Sequence, residues 1–416
     1  MEWKWVVQNV FSVSGESSLV RTYVRTPSRQ THANANKNAD DDDDDDDGRA
    51  ASDAYQRPRV SKDSQPEGAM FSRFQLRLCF LALLLATAFA LDGTREPGGA
   101  SLWGEQRGVV VARRTDRPLI GILSQSLGPD SMNGASYDPR NSYIAASYVK
   151  FVEAGGARAV PILQDMPAEE IRRRFAAVNG ILIPGGSQSL EPGHPYYDAT
   201  KLLLDLTIEE NDKGVHFPLH GTCLGFEALA VAVSGNYSLL QDVRATDAPA
   251  ALIPTLQTSK SDFFGHMQPA VYKALMAGPV AYENHVHGFD YAAMTDNPVL
   301  RDFFVVLTYS LDKDGEAYVS TMEARDYPVS ATQWHPEKNA FEWSPDLHIA
   351  HDESGVLTTL SVAVNFVKKA RQNAHAPASR EEENDMLIYN WSPRFSGRDG
   401  SAFDQVYVFP PWEDVS

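Results

Sequence analysis

Phe217-Pro218-Leu219-His220-Gly221-Thr222-Cys223-Leu224-Gly225 carries the decisive pattern in this 416-residue chain. A short apolar run turns through two glycines into the helical spacing of Phe226 to Val233. That is the thiol form of a nucleophile elbow, a sharp strand-to-helix turn that lifts a reactive side chain above the end of a sheet. Farther along, Thr332-Gln333-Trp334-His335-Pro336-Glu337 offers the base such a thiol needs, with a carboxylate two residues beyond it. Together the two motifs point to a Cys-His-Glu hydrolase.

Outward from the elbow, short apolar strands alternate with helical stretches from Pro118 onward, the signature of an α/β fold with a mostly parallel central sheet flanked by helices. Leu119–Leu123 reads as a first buried strand. A helix follows, with Ile144, Tyr148, Phe151 and Val152 on one face and Gly155-Gly156 as its stop. Ala159–Ile162 is a second strand, placed at a sheet edge or strand end by Pro161. A charged helix around Ala168–Phe175 leads to Gly180–Ile183, which runs into Pro184-Gly185-Gly186-Ser187. A helix from about Thr200 to Asn211 precedes the elbow. Residues 255–330 read as strand-rich, with Val305–Tyr309 and Ala317–Ser320 flanking a turn at Asp312–Gly315. An amphipathic helix, Leu360–Lys369, then gives way to a polar linker through Asp385 and an aromatic tail that packs back on the body. The domain expectation is a polar, low-complexity extension over 1–69, a signal peptide over 70–91 and a short linker over 92–117. A catalytic α/β domain over 118–372 and the linker and tail over 373–416 complete it.

The signal peptide rests on an apolar run, Leu78 to Leu91, that is shorter than the roughly 20 residues of a membrane span. Arg73 and Arg77 precede it, and Ala88 and Ala90 form a small-residue cleavage pattern before Asp92. The run starts after Met70, and two accounts fit: Met70 initiates the chain, or the extension is real and the run is an internal anchor. The extension holds the acidic run Asp40–Asp47. Cleavage would remove Cys79 and leave Cys223 as the only cysteine, which calls for a chemical explanation in a secreted protein. Sequons at Asn236 and Asn390 agree with the secretory route. Residues 91–416 carry 26 Lys/Arg against 42 Asp/Glu, a formal charge of −16. That acidity argues against a nucleic-acid partner and suits an acidic compartment.

The chemistry follows from the motifs. A helix N-terminus and a nearby imidazole both favour the thiolate, so Cys223 is expected to be a low-pKa nucleophile. His335 would act as general base and acid, and Glu337 would hold its tautomer. The backbone N–H of Leu224 and one from Gly185-Gly186 are the natural oxyanion donors. In Asn284-His285-Val286-His287-Gly288 the two histidines lack a third metal ligand at useful spacing. The segment lines a substrate pocket or is a plain loop. No metal and no cofactor is expected.

Gly-Thr-Cys-Leu-Gly at 221–225 followed by Gln-Trp-His-Pro-Glu-Lys at 333–338 resembles the class I glutamine amidotransferase-like superfamily. Within it the chain is similar to the γ-glutamyl hydrolases, from about Pro118 to Pro410. Amidotransferases usually carry His-Gln where this chain has Phe226-Glu227, and nothing here resembles their synthase partner. The resemblance implies a flavodoxin-like three-layer fold and a thiol peptidase cleaving γ-glutamyl bonds of folate polyglutamates in a lysosome, vacuole or the extracellular space. It maps the nucleophile onto Cys223, the general acid/base onto His335 and the third member onto Glu337. Oxyanion donors map onto Gly186 and Leu224, and substrate contacts onto Gly185 and either His285 or His287. It implies no stable membrane span after signal cleavage and leaves a homodimer open. A polyanionic ligand would need a local basic patch, for which Lys338, Arg140 and Lys260 are the candidates. Another γ-glutamyl small molecule as substrate, or an inert secreted glycoprotein, are the competing readings. The family lacks the 69-residue extension.

Overall fold

The computed structural model describes residues 4–11, 17–24, 114–127, 138–397 and 401–415. The expected signal segment, with Cys79, lies outside the described residues, as does most of the polar extension. The chain forms two units, Met1–Trp103 and Gly104–Ser416. In the first, Lys4–Phe11 and Ser17–Val24 pair as antiparallel strands.

The second unit is built around one eight-stranded sheet. Its elements in chain order are β1 (Leu119–Leu123), α1 (Ala146–Ala154), β2 (Arg158–Ile162), α2 (Ala168–Ala177), β3 (Gly180–Ile183) and α3 (Pro195–Asp212). Then come β4 (Leu219–Thr222), α4 (Leu224–Ser234), β5 (Gln241–Ala250), β6 (Ile253–Pro254) and β7 (Ala281–Gly288). β8 (Phe304–Leu311), β9 (Ala317–Ala324), β10 (Val329–Thr332) and α5 (Glu353–Ala370) follow. Across the sheet the order is β6-β8-β9-β10-β4-β3-β1-β2. The five strands from β10 to β2 are parallel, and β9, β8 and β6 extend the sheet antiparallel. The mostly parallel sheet and the edge position of Pro161 on β2 agree with the sequence reading.

The strands at the centre read as unbroken apolar runs because both faces are covered: Ile120, Ile122, Ile181, Leu182, Ile183 and Leu219 are fully buried. The chain moves outward from β1 to β2 and then back across to β3 and β4. Right-handed crossovers therefore put α1 on one face and α2, α3 and α4 on the other. α5 packs on α1, and α3 packs on both α2 and α4. The reversal of strand order beside β1 opens a crevice at the carboxyl ends of the strands, where ligands of such sheets bind.

Three local readings need correction. Ile144 lies in a strand, Ser142–Ala145, and α1 begins only at Ala146. That strand is buried because the tail strand Gln405–Phe409 pairs with it, Tyr407 opposite Ile144, a partner far away in sequence. Residues 255–330 hold three short helices, Pro269–Ala277, Tyr291–Asp296 and Pro298–Phe303, besides their strands. Proline at the first turn starts two of them. The polar segment before Asp385 is in part a helix, Arg380–Met386, tied down by Glu382 to Arg173 and by Glu383 to Arg117 and Arg158. Among the described residues no helix is long and apolar enough to cross a membrane.

The elbow is fixed by two close backbone approaches. A Cβ on Gly221 would stand 2.7 Å from the Gly225 carbonyl oxygen, and one on Gly225 would stand 2.2 Å from that of Ile183. The start of α4 therefore rests directly on the end of β3, as only glycine allows. Gly225→Ala should cost about 1–3 kcal/mol of stability by overpacking, read from urea unfolding; an unchanged midpoint would show that the elbow is not tightly seated.

Candidate active site

Three neighbouring parallel strands deliver the predicted residues to one edge of the sheet. β4 ends at Thr222 and is followed by Cys223; β10, paired with it in register Thr332 opposite Thr222, is followed by Gln333-Trp334-His335. β3, on the other side of β4, runs into Pro184-Gly185-Gly186.

Cys223 itself has φ 52° and ψ −109°, one of two non-glycine residues with positive φ among those described. L side chains rarely adopt such a backbone, and its strain is of order 1–3 kcal/mol. It is held there because the Cys223 N–H donates to the Thr332 carbonyl at 2.7 Å and its own carbonyl starts α4 through the Glu227 N–H at 3.1 Å. The His335 backbone N–H donates to Tyr282 O at 2.9 Å. Its Nδ1 is 2.7 Å from Glu337 Oε1, which leaves Nε2 as the nitrogen free to exchange a proton. A Cβ placed on Gly185 would be 2.9 Å from both Cys223 Cβ and His335 Cε1. Gly185 thus fills the space between thiol and imidazole, and a methyl group there would wedge them apart.

The electrostatics differ from the sequence expectation. Burial pushes the Cys223 thiol well above its ordinary range, and the charges of Glu227 and Glu337 push the same way. The Leu224 N–H and Lys338 oppose this without reversing it. Burial also lowers His335. Burial alone would raise Glu337, but the imidazole against it keeps its carboxyl below the usual range. The resting pair is therefore a neutral thiol beside a neutral imidazole oriented by a carboxylate. It suits proton transfer during attack rather than a standing thiolate.

Sequence reading missed two residues that brace the glycine loop. Tyr148, on α1, accepts the Gly185 N–H at 2.8 Å through its hydroxyl, which is also 3.5 Å from His335 Nδ1. Gln125 donates through Nε2 to the Gly185 carbonyl, and its Oε1 occupies the space where a Gly186 side chain would go, 1.5 Å from an ideal Cβ. The Gly185 N–H is thus taken by Tyr148 and not available to an oxyanion. The apolar face of α1 gave Tyr148 away only as a core residue, and nothing in the sequence linked Gln125 to the loop.

The histidine segment forms β7, and its pairing with β5 shifts register on either side of His285. The bulges turn His285 inward, where it is buried with Nε2 3.0 Å from Glu283 Oε2 and Nδ1 2.7 Å from the His287 carbonyl. Burial lowers His285, but the hydrogen bond and charge of Glu283 more than reverse this and leave it raised. His287 has its side chain 47% exposed at the rim. Below them Glu227 accepts Gln333 Nε2 at 2.9 Å, and burial brings its carboxyl up to about 7. Cys223, His335, Gly186, Glu227 and both histidines line one cleft of about 700 Å³.

Of the basic residues expected near it, Lys338 lines the cleft. Arg140 instead pairs with Asp138 at 2.8 Å, and Lys260 sits exposed on a short 3₁₀ turn, Thr258–Lys260, outside the cleft. The two sequon asparagines differ. The Asn236 side chain accepts from Ser238 through its oxygen, whereas Asn390 Nδ2 donates to the carbonyls of Asn384, Asp385 and Leu387.

Comparison with known proteins places this geometry. A sequence model described as "Peptidase C26" matches residues 118–337. "Gamma-glutamyl hydrolase 1" of Arabidopsis thaliana is 35% identical over 329 residues, covering 79% of this chain and 90% of that protein. "Gamma-glutamyl hydrolase" of Homo sapiens is 37% identical over 336 residues, covering 80% of this chain and 98% of that protein. "Probable gamma-glutamyl hydrolase 3" of Arabidopsis thaliana is 36% identical over 300 residues, 70% of this chain and 84% of that protein. The chain belongs to the peptidase C26 family.

Proposed function

We propose that the protein is a cysteine hydrolase that cleaves γ-glutamyl bonds, with folate poly-γ-glutamates as substrate class. The observation that carries this reading is Cys223 on a strained elbow with the His335–Glu337 pair just beyond the adjoining strand. The names of the relatives support the bond type. Among the residues lining the cleft, Tyr237 and Val286 are exposed and offer apolar surface, which suits an aromatic head group at one end of a charged chain.

In this mechanism His335 Nε2 takes the thiol proton as Cys223 Sγ attacks the γ-carbonyl carbon. Negative charge develops on the carbonyl oxygen between the N–H groups of Leu224 and Gly186. Collapse breaks the C–N bond, and the proton held by His335 passes to the leaving amine, freeing glutamate or an oligo-γ-glutamate. Water, deprotonated by the same nitrogen, then hydrolyses the thioester and restores the thiol. Glu337 keeps Nδ1 protonated throughout.

The secretory reading is part of the same proposal: a signal segment at 70–91 and delivery to a lysosome, vacuole or the extracellular space. A glycan would sit at Asn236, whose amide nitrogen is not spent on the three backbone carbonyls that occupy Asn390. The lowered imidazole is compatible with an acidic compartment, because the base stays unprotonated there.

Incubating the protein with pteroylpenta-γ-glutamate should give shortened folates by mass spectrometry, and Cys223→Ala none; intact substrate with folded wild type would remove the folate assignment. Gly185→Ala should lower kcat/KM by about a hundredfold or more, since small misplacement of reacting groups costs that much; near-normal turnover would contradict the wedge argument. The sign of the pKa shifts fixes two pH profiles. A thiol raised by burial is neutral at acid pH and ionises only as pH climbs, so alkylation of Cys223 by iodoacetamide should be at least about tenfold slower at pH 5.5 than at pH 9. A lowered His335 loses its proton below the ordinary imidazole value, so the acid limb of kcat/KM should fall below about pH 6.5. Fast labelling at pH 5.5 would instead indicate a preformed ion pair.

A further inference from the structure

We propose that Lys338 is the specificity residue of the cleft, the cation that binds the α-carboxylate of the γ-glutamyl unit being cleaved. This rests on the γ-glutamyl reading above and adds to it the group by which the substrate is recognised.

Lys338 is 1% exposed, yet it lines the cleft that also holds Cys223 and His335. Among the described residues it is the only lysine or arginine that does so. Its ammonium lies 4.8 Å from the centre of the Phe403 ring and 5.8 Å from that of Tyr282. Aromatic faces attract a cation but do not neutralise it. Among the described residues no carboxylate comes within 4.0 Å of Lys338 Nζ. The two acids whose fields it feels, Glu337 and Glu342, each spend one oxygen elsewhere and leave the other without a hydrogen bond. Glu337 Oε1 is taken by His335, and Glu342 Oε2 accepts the Asp404 N–H at 2.7 Å. An ammonium taken out of water without a carboxylate partner is costly, and a ligand carboxylate would complete the site.

The ammonium is also placed to read the charge of the acyl unit. Lys338 follows Glu337 directly and opens the short helix Lys338–Phe341, so its distance from the His335–Glu337 pair is fixed by one turn of backbone. In a γ-glutamyl amide a free carboxylate lies three carbons from the carbonyl under attack. An acyl unit without an acidic group offers no such carboxylate. A cation beside the reacting groups therefore favours a glutamyl acyl unit over a neutral one. Phe403 comes from the tail, just ahead of the strand Gln405–Phe409 that pairs with Ser142–Ala145, so the tail builds the wall that holds the cation.

The test compares kcat/KM on pteroyldi-γ-glutamate with that on the analogue whose scissile γ-glutamyl unit carries an α-carboxamide. Wild type should prefer the carboxylate by about ten- to a hundredfold, the range of a hydrogen bond to a charged group. Lys338→Met should bring that ratio close to one, and Lys338→Arg should keep it well above one. Equal losses on both substrates, or an unchanged ratio in Lys338→Met, would overturn the assignment. Should Lys338→Met not fold, Phe403→Leu keeps the charge and loosens its seat, and is expected to lower the same ratio; an unchanged ratio there counts against the proposal. Wild type that cleaves both substrates equally overturns only the role of Lys338, whereas wild type that cleaves neither overturns the γ-glutamyl reading and this role with it.

Discussion

Cys223 is held with φ 52° in a conformation that contacts between Cβ and backbone make unfavourable for L residues. Such strain persists only where the surroundings over-determine it, and here three neighbours do so. The Thr332 carbonyl takes the Cys223 N–H, Gly221 lets the helix start fold back over the strand, and Gly225 lets it touch the end of β3. A side chain at either glycine would move the helix off the sheet and relax the turn. The remainder of the site follows from sheet order, since β10 and β3 flank β4 and must end beside it.

The same burial that fixes geometry sets the electrostatics. Thiol and imidazole are buried beside Glu227, Glu337 and Lys338. Two nearby carboxylates make a thiolate unfavourable at rest, and the helix N-terminus does not overcome them. A neutral pair avoids separating charge before substrate arrives, and the oxyanion donors meet charge only as it develops. Tyr148 adds a mechanical link, since one hydroxyl touches both the glycine loop and the edge of the imidazole. A shift of either would be felt by the other.

Much of this was legible in the sequence because its signals are local. The apolar strands β1, β3 and β4, the glycine-bracketed Cys223 and the compact His335-Pro336-Glu337 segment each declare themselves within ten residues. What was hidden depends on distant partners. Ile144 fits a helical face as well as a strand, and only pairing with Tyr407 decides it. Tyr148 and Gln125 act on a loop about forty to sixty residues away through single hydrogen bonds, which no periodicity records. The different settings of His285, buried, and His287, at the rim, come from two bulges that alternation alone does not disclose. The thiol's electrostatics differ from the sequence expectation because the helix N-terminus is visible in the sequence, whereas the burial of the thiol and the nearness of Glu227 and Glu337 are not.

The central claim is that Cys223 becomes the acyl carrier when the γ-glutamyl bond breaks. Rapid acid quench of the protein with a γ-glutamyl substrate, followed by peptide mass spectrometry, tests it most directly. The account predicts a mass increase equal to the γ-glutamyl acyl fragment on the peptide containing Cys223, lost on treatment with hydroxylamine and absent in His335→Ala. Product formation at the wild-type rate by Cys223→Ala, or acylation at any other residue, would contradict it.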